Sequence, residues 1–158
     1  VERASAFLYY SRGGDVKELL AALKYRGRSS LGHFLGRCMA RELCSSDFFQ
    51  GMDGIIPVPL HERKQRIRGY NQSKALWDNL LVRTQFTETQ TRKGNYERWL
   101  NVKDMFECTS LEALEGKHVL LVDDVLTTGA TLVACADAFR EVKGLRVSVL
   151  TLAWAGNS

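Results

Sequence analysis

One thirteen-residue segment, from Val119 to Thr131, constrains the fold of this chain more than any other feature. It reads Val-Leu-Leu-Val-Asp-Asp-Val-Leu-Thr-Thr-Gly-Ala-Thr. Its opening apolar run is typical of a central parallel strand that is buried on both faces. Two adjacent carboxylates are costly to bury without partners, so Asp123 and Asp124 are expected at the carboxyl end of this strand. Ligands of open α/β sheets bind at that edge.

Hydroxyl-bearing residues follow the acids, in a turn over 124–129 and at the start of a predicted helix. Backbone N–H groups at a helix N-terminus bind phosphate, and glycine permits close approach of the backbone. Because carboxylates repel phosphate, the two acids are expected to accept hydrogen bonds from ribose hydroxyls or to meet a magnesium ion. The segment therefore predicts a ribose 5-phosphate site, in which the phosphate is held by Thr127, Thr128, Gly129, Ala130 and Thr131.

Two other interpretations of this segment stay open. It could belong to a receiver-like domain with an acidic pocket, or one aspartate could cap the helix. The complete Thr-Thr-Gly-x-Thr loop argues against both. A Walker-type P-loop is excluded, because the chain contains no Gly-Lys-Thr or Gly-Lys-Ser.

Strands and helices alternate along the chain, which predicts one α/β domain over residues 1–158. Such an order favours a mostly parallel central sheet with helices on both faces. Residues 83–104 are polar and poorly periodic, which favours a long loop, and such loops are commonly functional lids. The predicted strands cover 4–10, 54–60, 118–123 and 145–153, and the predicted helices cover about 16–25, 30–44, 71–81 and 130–142.

Composition narrows the class of protein. A net charge of +4 suits phosphorylated ligands but is too small to indicate nucleic acid by itself. The four cysteines form no Cys-x-x-Cys pair, so reduced thiols in a cytoplasmic protein are expected. His33, Cys38 and Cys44 match no recurrent metal-site spacing and are interpreted as buried helix residues. No apolar run approaches the roughly 20 residues that span a bilayer, so no membrane insertion is expected.

The segment from Val119 to Thr131 resembles the motif with which type I phosphoribosyltransferases bind phosphoribosyl pyrophosphate (PRPP). Both have four apolar residues, two acids, two apolar residues and a small hydroxylated loop. Residues 55–72, from Ile-Ile-Pro-Val-Pro to Gly-Tyr-Asn-Gln, resemble the ComF branch, the competence-protein-F-like phosphoribosyltransferases. Further residues that fit this branch are Thr87, Gln90, Arg98, Asn101, Val102 and Phe106. The resemblance covers about residues 6–154 and implies a Rossmann-like type I phosphoribosyltransferase fold with a flexible lid over about 83–104.

This resemblance implies a glycosyltransferase of nucleotide metabolism that binds PRPP with Mg²⁺, transfers phosphoribose to an acceptor and releases pyrophosphate. It does not identify the acceptor. Magnesium is expected to arrive with PRPP and to meet the two aspartates, rather than to occupy a dedicated protein site. The implied catalytic residues are Asp123, Asp124, Arg66, Arg68 and Arg98. The implied pyrophosphate contacts are Val58, Pro59, Leu60, His61 and Arg63, with Lys64 beside them, and the implied lid contacts are Arg83, Thr84, Gln90 and Asn101.

Two departures from the ComF pattern are visible. The cysteine-rich zinc module that commonly begins these proteins is absent, and the first residue, Val1, indicates that a segment precedes this chain. There is also little room for the expected strand between a helix ending near Leu81 and the loop beginning at Arg83. Either that strand is lost or some residues are missing from the chain.

Two alternatives to catalysis stay open. The chain could be a non-catalytic accessory of the competence machinery that helps DNA uptake, binding single-stranded DNA through its basic turn and lid. It could also be a regulator that senses PRPP without turnover. The resemblance is compatible with a homodimer as well. Aromatic residues suitable for stacking on bases are few in this region: Tyr70, Phe86, Tyr96 and Trp99.

Overall fold

Four parallel strands form the central sheet of the computed structural model, which describes residues 1–10, 14–25, 29–59, 81–84 and 105–156. The strands are β1 (Ala4–Tyr9), β2 (Gly54–Pro57), β3 (Leu81–Arg83), β4 (Phe106–Cys108), β5 (His118–Leu126) and β6 (Arg146–Trp154). The order of the four parallel strands across the sheet is β1, β6, β5, β2. The helices are α1 (Asp15–Tyr25), α2 (Ser29–Leu43) and α3 (Ala130–Asp137), with a single 3₁₀ turn over Glu112–Leu114.

Helices cover both faces of the sheet, as the alternating pattern predicted. On one face, Leu120 and Leu150 pack against α1 and α2 through Leu23 and Leu35. On the other face, Leu121 packs in a second cluster with residues of α3 and of the β3–β4 hairpin. Strand β5 lies between β6 and β2, and its apolar residues Val119, Leu120 and Leu121 are fully buried because the sheet is covered on both sides. The prediction of an α/β fold with a mostly parallel sheet is confirmed.

The predicted end of β5 at Asp123 was wrong. This strand continues to Leu126, which is the register partner of Trp154. On the opposite side, the last rung joins the N–H group of Val58 to the carbonyl of Val122 at 2.9 Å. The acids therefore lie where β2 has ended while β6 still pairs. Turn-forming residues in the sequence cannot show that β6 pairs with β5 for several residues beyond the end of β2.

The predicted helix over 130–142 was too long. Helix α3 ends at Asp137, and tighter turns follow, in which Arg140 N–H donates to Asp137 O at 3.2 Å and Val142 N–H to Phe139 O at 2.9 Å. Phe139 and Val142 remain buried. Apolar residues three positions apart suit these tighter turns as well as an α-helix, so their spacing did not separate the two.

A short strand stands where the sequence predicted a helix end. Leu81–Arg83 forms β3 and pairs antiparallel with β4, with Arg83 opposite Phe106. The N–H group and hydroxyl of Thr84 both donate to Met105 O, at 2.8 and 3.1 Å. Arg83 and Thr84, which the sequence assigned to the loop, are therefore paired with Phe106 and Met105, and a strand is present where the sequence left open whether one was lost or residues were missing. Its partner is more than twenty residues away in sequence, so local periodicity gave no sign of it.

Two further expectations concern the helical half of the chain. Among the described helices, none is long and apolar enough to cross a membrane. The interpretation of three residues as buried was wrong for two of them, because His33 is exposed on α2 and Cys44 is exposed just after it. Cys38 is partly buried.

Residues 71–80 of the predicted helix and residues 85–104 of the predicted loop lie outside the described residues.

Candidate functional site

The carboxyl ends of β2 and β5 meet at one edge of the sheet. Val58 and Pro59, which begin the predicted pyrophosphate turn, lie beside Val122 and hence beside the acidic pair. Asp123 and Asp124 are both partly exposed. The structure thus brings the two acids together with the start of that turn, at the edge where ligands of such sheets bind.

The alternation of side chains between the two faces of the sheet shifts by one residue along β5, at Asp123 and Asp124. Val122 and Val125 both pack on the α1–α2 face, whereas Leu121 and Leu126 pack on the α3 face. Strict alternation would place Val122 and Leu126 on the same face. Within the irregular step, Asp124 N–H donates to Oδ1 of Asp123 at 2.8 Å. Alternation therefore does not force the two carboxylates to opposite faces, even though the strand continues beyond them.

The predicted phosphate loop connects β5 to α3. Gly129 immediately precedes the helix with φ of 78°, a left-handed conformation that favours glycine. The Thr128 hydroxyl accepts a hydrogen bond from Ala130 N–H at 3.4 Å. No amide from Thr127 to Thr131 donates to a main-chain carbonyl of the described residues. Such amides, at the positive end of a helix dipole, are suited to an anionic ligand.

Arg83 lies close to the acids rather than out in a loop. Its guanidinium carbon stands 5.6 Å from the centre of the Phe106 ring, within range of a cation–π contact. Burial lowers the pKa of Arg83, and nearby Cys135 and Asp123 partly offset this effect. An arginine remains protonated at neutral pH all the same. The hairpin thus delivers a fixed positive charge to the α3 side of the acidic pair.

Two buried residues beside Asp123 were not among those identified from the sequence. Cys135 on α3 is fully buried, and burial raises the pKa of its thiol, with the charge of Asp123 adding to the rise and Arg83 opposing it. Thr151 on β6 is fully buried and is the register partner of Asp123. The sequence did carry one signal, because Thr151 interrupts the apolar run of a central strand.

An aromatic pair lies at the same edge, with one ring on β6, the strand next to β5, and the other on β1. The rings of Tyr9 and Trp154 meet edge to face with their centres 5.6 Å apart, and they are 57% and 48% exposed. Ala155 N–H donates to Leu126 O at 2.8 Å, which ties the end of β6 to the residue before the phosphate loop. This exposed aromatic surface was not predicted, since its two members are far apart in sequence.

No group of three or more His, Cys, Asp or Glu side chains is placed to hold a metal within the described part of the chain. Two adjacent, partly exposed carboxylates do fit Mg²⁺, which is commonly bound by one or two carboxylates together with substrate oxygens. The other predicted site residues lie outside the described residues: Leu60, His61, Arg63, Lys64, Arg66, Arg68, Gln90, Arg98 and Asn101.

Known proteins resemble this chain in the region that contains the site. Residues 68–158 match the phosphoribosyl transferase domain family. The DNA utilization protein YhgH of Escherichia coli (strain K12) is 34% identical over 134 residues, which is 75% of this chain and 58% of that protein. Competence protein F of Haemophilus influenzae is 34% identical over 116 residues, 65% of this chain and 51% of that protein.

A third relative extends the match over most of the chain. Competence protein ComFC of Bacillus subtilis (strain 168) is 30% identical over 158 residues, which is 89% of this chain and 59% of that protein. The chain thus spans between 51% and 59% of the length of these curated relatives. With the domain match, the parallel sheet and the segment from Val119 to Thr131, these relatives place the chain in the ComF family of the phosphoribosyltransferase superfamily.

Proposed function

We propose that this chain binds PRPP together with Mg²⁺ and transfers its phosphoribose to an acceptor, with release of pyrophosphate. One observation carries the proposal: an acidic pair and a loop rich in available amides lie next to each other at the carboxyl edge of the sheet. A sugar phosphate needs acceptors for its hydroxyls and donors for its phosphate. This edge offers both kinds of group within one short segment, since only Val125 and Leu126 separate the acids from the loop.

The phosphate loop would hold the 5-phosphate. Its amides from Thr127 to Thr131 are not taken by main-chain carbonyls of the described residues, and the hydroxyls of Thr127 and Thr131 stand beside them. The N-terminus of α3 adds about 0.3–1 kcal/mol of favourable interaction with an anion. Gly129 keeps the backbone in the left-handed turn that exposes these amides.

The acidic pair would hold the ribose. Asp123 and Asp124 would accept hydrogen bonds from the 2- and 3-hydroxyls, which fixes the ring relative to the edge. Bound Mg²⁺ would offset the negative charge that accumulates on the leaving pyrophosphate. In the transfer, the bond from C1 to the pyrophosphate oxygen breaks and a bond from C1 to the acceptor nucleophile forms. Pyrophosphate leaves with the electron pair of the broken bond.

The start of the pyrophosphate turn supports this orientation. Val58 and Pro59 follow the last rung to β5, so the residues after them begin beside the acids. Neutralisation of pyrophosphate by Arg63, Lys64, Arg66 and Arg68, and closure of a lid over about 83–104, stay predictions. On the other side, Tyr9 and Trp154 offer an exposed aromatic surface to a flat acceptor.

The test is calorimetric titration of the chain with PRPP, with and without Mg²⁺. We expect magnesium-dependent binding, weaker binding of ribose 5-phosphate, and release of pyrophosphate when a suitable amine or base is present. The control variant is Ser110→Ala, which removes a hydroxyl from an exposed residue beyond β4 and should bind PRPP as the natural chain does. Absence of binding and of thermal stabilisation at millimolar PRPP would end the proposal.

A second proposal follows from the names of the relatives, a DNA utilization protein and two competence proteins. The chain would act in DNA uptake or use without catalysis, or would sense PRPP as a regulator. Single-stranded DNA binding that falls steeply with salt and ignores PRPP would favour the first of these roles. PRPP binding without turnover on any amine or base would favour the second.

A further inference from the structure

A buried hydroxyl without a partner lies beside the first of the two acids. Thr151 is 0% exposed, and its Oγ1 has no hydrogen-bond partner among the described residues. Buried hydroxyls are nearly always paired, because leaving one unpaired destabilises the fold. An unpaired hydroxyl next to a candidate ligand site therefore calls for an explanation.

The neighbours of Thr151 in the sheet include one polar side chain that could become its partner. Ala6 on β1, Thr151 on β6 and Asp123 on β5 form one row across three parallel strands. Adjacent strands are about 4.8 Å apart, and register partners point to the same face. Ala6 offers only a methyl group to this row, whereas Asp123 offers a carboxylate. The hydroxyl and the carboxylate are thus within reach of each other after rotation of one side chain.

Asp123 already makes other interactions in the structure. Its Oδ1 accepts the hydrogen bond from Asp124 N–H at 2.8 Å. Its charge also acts on two groups of the α3 side, the buried thiol of Cys135 and the guanidinium of Arg83. These interactions place the carboxylate of Asp123 on the α3 side of the sheet, where it is only partly exposed to solvent. Thr151 lies on this same side, two residues after the core residue Val149.

We propose that Thr151 is a positioning residue, whose hydroxyl donates to the carboxylate of Asp123 when a ribose or a magnesium ion engages the acidic pair. This inference rests on the proposed function. Ligand binding would turn the carboxylate of Asp123 toward the hydroxyl of Thr151, so part of the binding free energy would come from the sheet itself. A hydrogen bond to a carboxylate is charge-assisted and directional, and it would select one orientation of Asp123.

The test separates stability from affinity. Thr151→Val removes the hydroxyl and keeps the shape, and Thr151→Ser keeps the hydroxyl. Free energy of unfolding is measured in urea without ligand, and the dissociation constant for PRPP with Mg²⁺ by calorimetry. We expect Thr151→Val to be at least as stable as the natural chain yet to bind about tenfold more weakly, the effect of losing one charged hydrogen bond. Thr151→Ser should bind within about twofold of the natural chain.

Ser148 provides the matched control. It is a fully buried hydroxyl on the same strand, but its Oγ already lies 2.9 Å from His118 Nε2 and accepts from Arg3 N–H. Ser148→Ala should therefore lower stability and leave affinity unchanged. If Thr151→Val binds PRPP as tightly as the natural chain, the inference is overturned and the proposed function stands. The same holds if Thr151→Ser and Thr151→Val lose the same amount of PRPP affinity. Absence of PRPP binding by the natural chain overturns both.

Discussion

The N–H group of Val58 donates to the carbonyl of Val122 at 2.9 Å, and this is the last rung between β2 and β5 before the acidic pair. On the other side of β5, pairing with β6 continues as far as Leu126 and Trp154. Asp123 and Asp124 thus have a paired strand on one side and the beginning of a turn on the other. Pairing with β6 holds the backbone of the acids in place, whereas β2 has already ended beside them.

The conformation of Gly129 predicts a conformational rather than a steric effect of substitution. Its φ is +78°, and an added Cβ would meet only Leu126 Cδ1 at 3.7 Å, an ordinary contact. Gly129→Ala should therefore destabilise the protein by about 1–2 kcal/mol, the cost of a left-handed conformation, and should weaken PRPP binding. Gly36→Ala in α2 is the control, because its Cβ meets nothing within 4 Å and alanine favours a helix by about 0.5–1 kcal/mol. Urea denaturation of both variants checks this, and equal effects would contradict it.

Cys135 predicts a dependence of stability on alkaline pH. Burial raises the pKa of its thiol above the ordinary 9.0, so the folded state holds this proton when the unfolded state has lost it. The resulting stability is complete below pH 9.0 and is lost as pH rises above that value. Cys135→Ala should flatten the decline in the free energy of unfolding between pH 8.5 and about 10. An unchanged slope would show that other groups cause it.

Thiol labelling tests the same residue independently. Cys44 is exposed and Cys135 is buried, so a disulfide reagent should label Cys44 rapidly in the native state. Cys135 should react only at the rate of unfolding. The variant Cys44→Ser should lose the fast phase alone. Fast labelling of Cys135 in the native protein would contradict the packing of α3 on β5.

Local patterns predicted the succession of strand, acids, loop and helix better than they predicted what surrounds it. The run from Val119 to Val122, the acids and the glycine of the predicted phosphate loop lie in one short segment, so their order in sequence fixes their order in space. The pairing of Arg83 with Phe106 and the row of Thr151 beside Asp123 depend on contacts between distant segments. No periodicity encodes such contacts. The shift in side-chain alternation at the acids could not be predicted either, because it is visible only from the packing of Val122 and Val125 on the same face of the sheet.

Arg3 predicts a loss of stability that leaves the site intact. Its Nη1 donates to the carbonyls of Asp47, Phe48 and Gln50 at 2.7, 2.9 and 3.0 Å, which closes the turn after α2. This turn leads to the amino end of β2, opposite the acids. Arg3→Ala should cost about 1.5–3 kcal/mol of stability, as expected for hydrogen bonds to a charged donor, with unchanged PRPP affinity. Arg140→Ala, which removes an exposed ion pair of 3.9 Å with Glu141, is the control and should change stability by less than about 0.5 kcal/mol.

Substitution of Thr131 should have the opposite effect to that of Arg3, lowering the affinity for PRPP with little loss of stability. Thr131 is partly exposed in the first turn of α3, and its amide donates to no main-chain carbonyl of the described residues. Thr131→Ala should weaken PRPP binding by about 1–3 kcal/mol, because a phosphate oxygen loses a hydrogen-bond donor. Alanine suits a helix well, so the free energy of unfolding should stay within about 0.5 kcal/mol of the natural value. Calorimetry on Thr131→Ala and Thr131→Ser separates the hydroxyl from the backbone: if the serine variant binds as weakly as the alanine variant, the hydroxyl does not contact the phosphate.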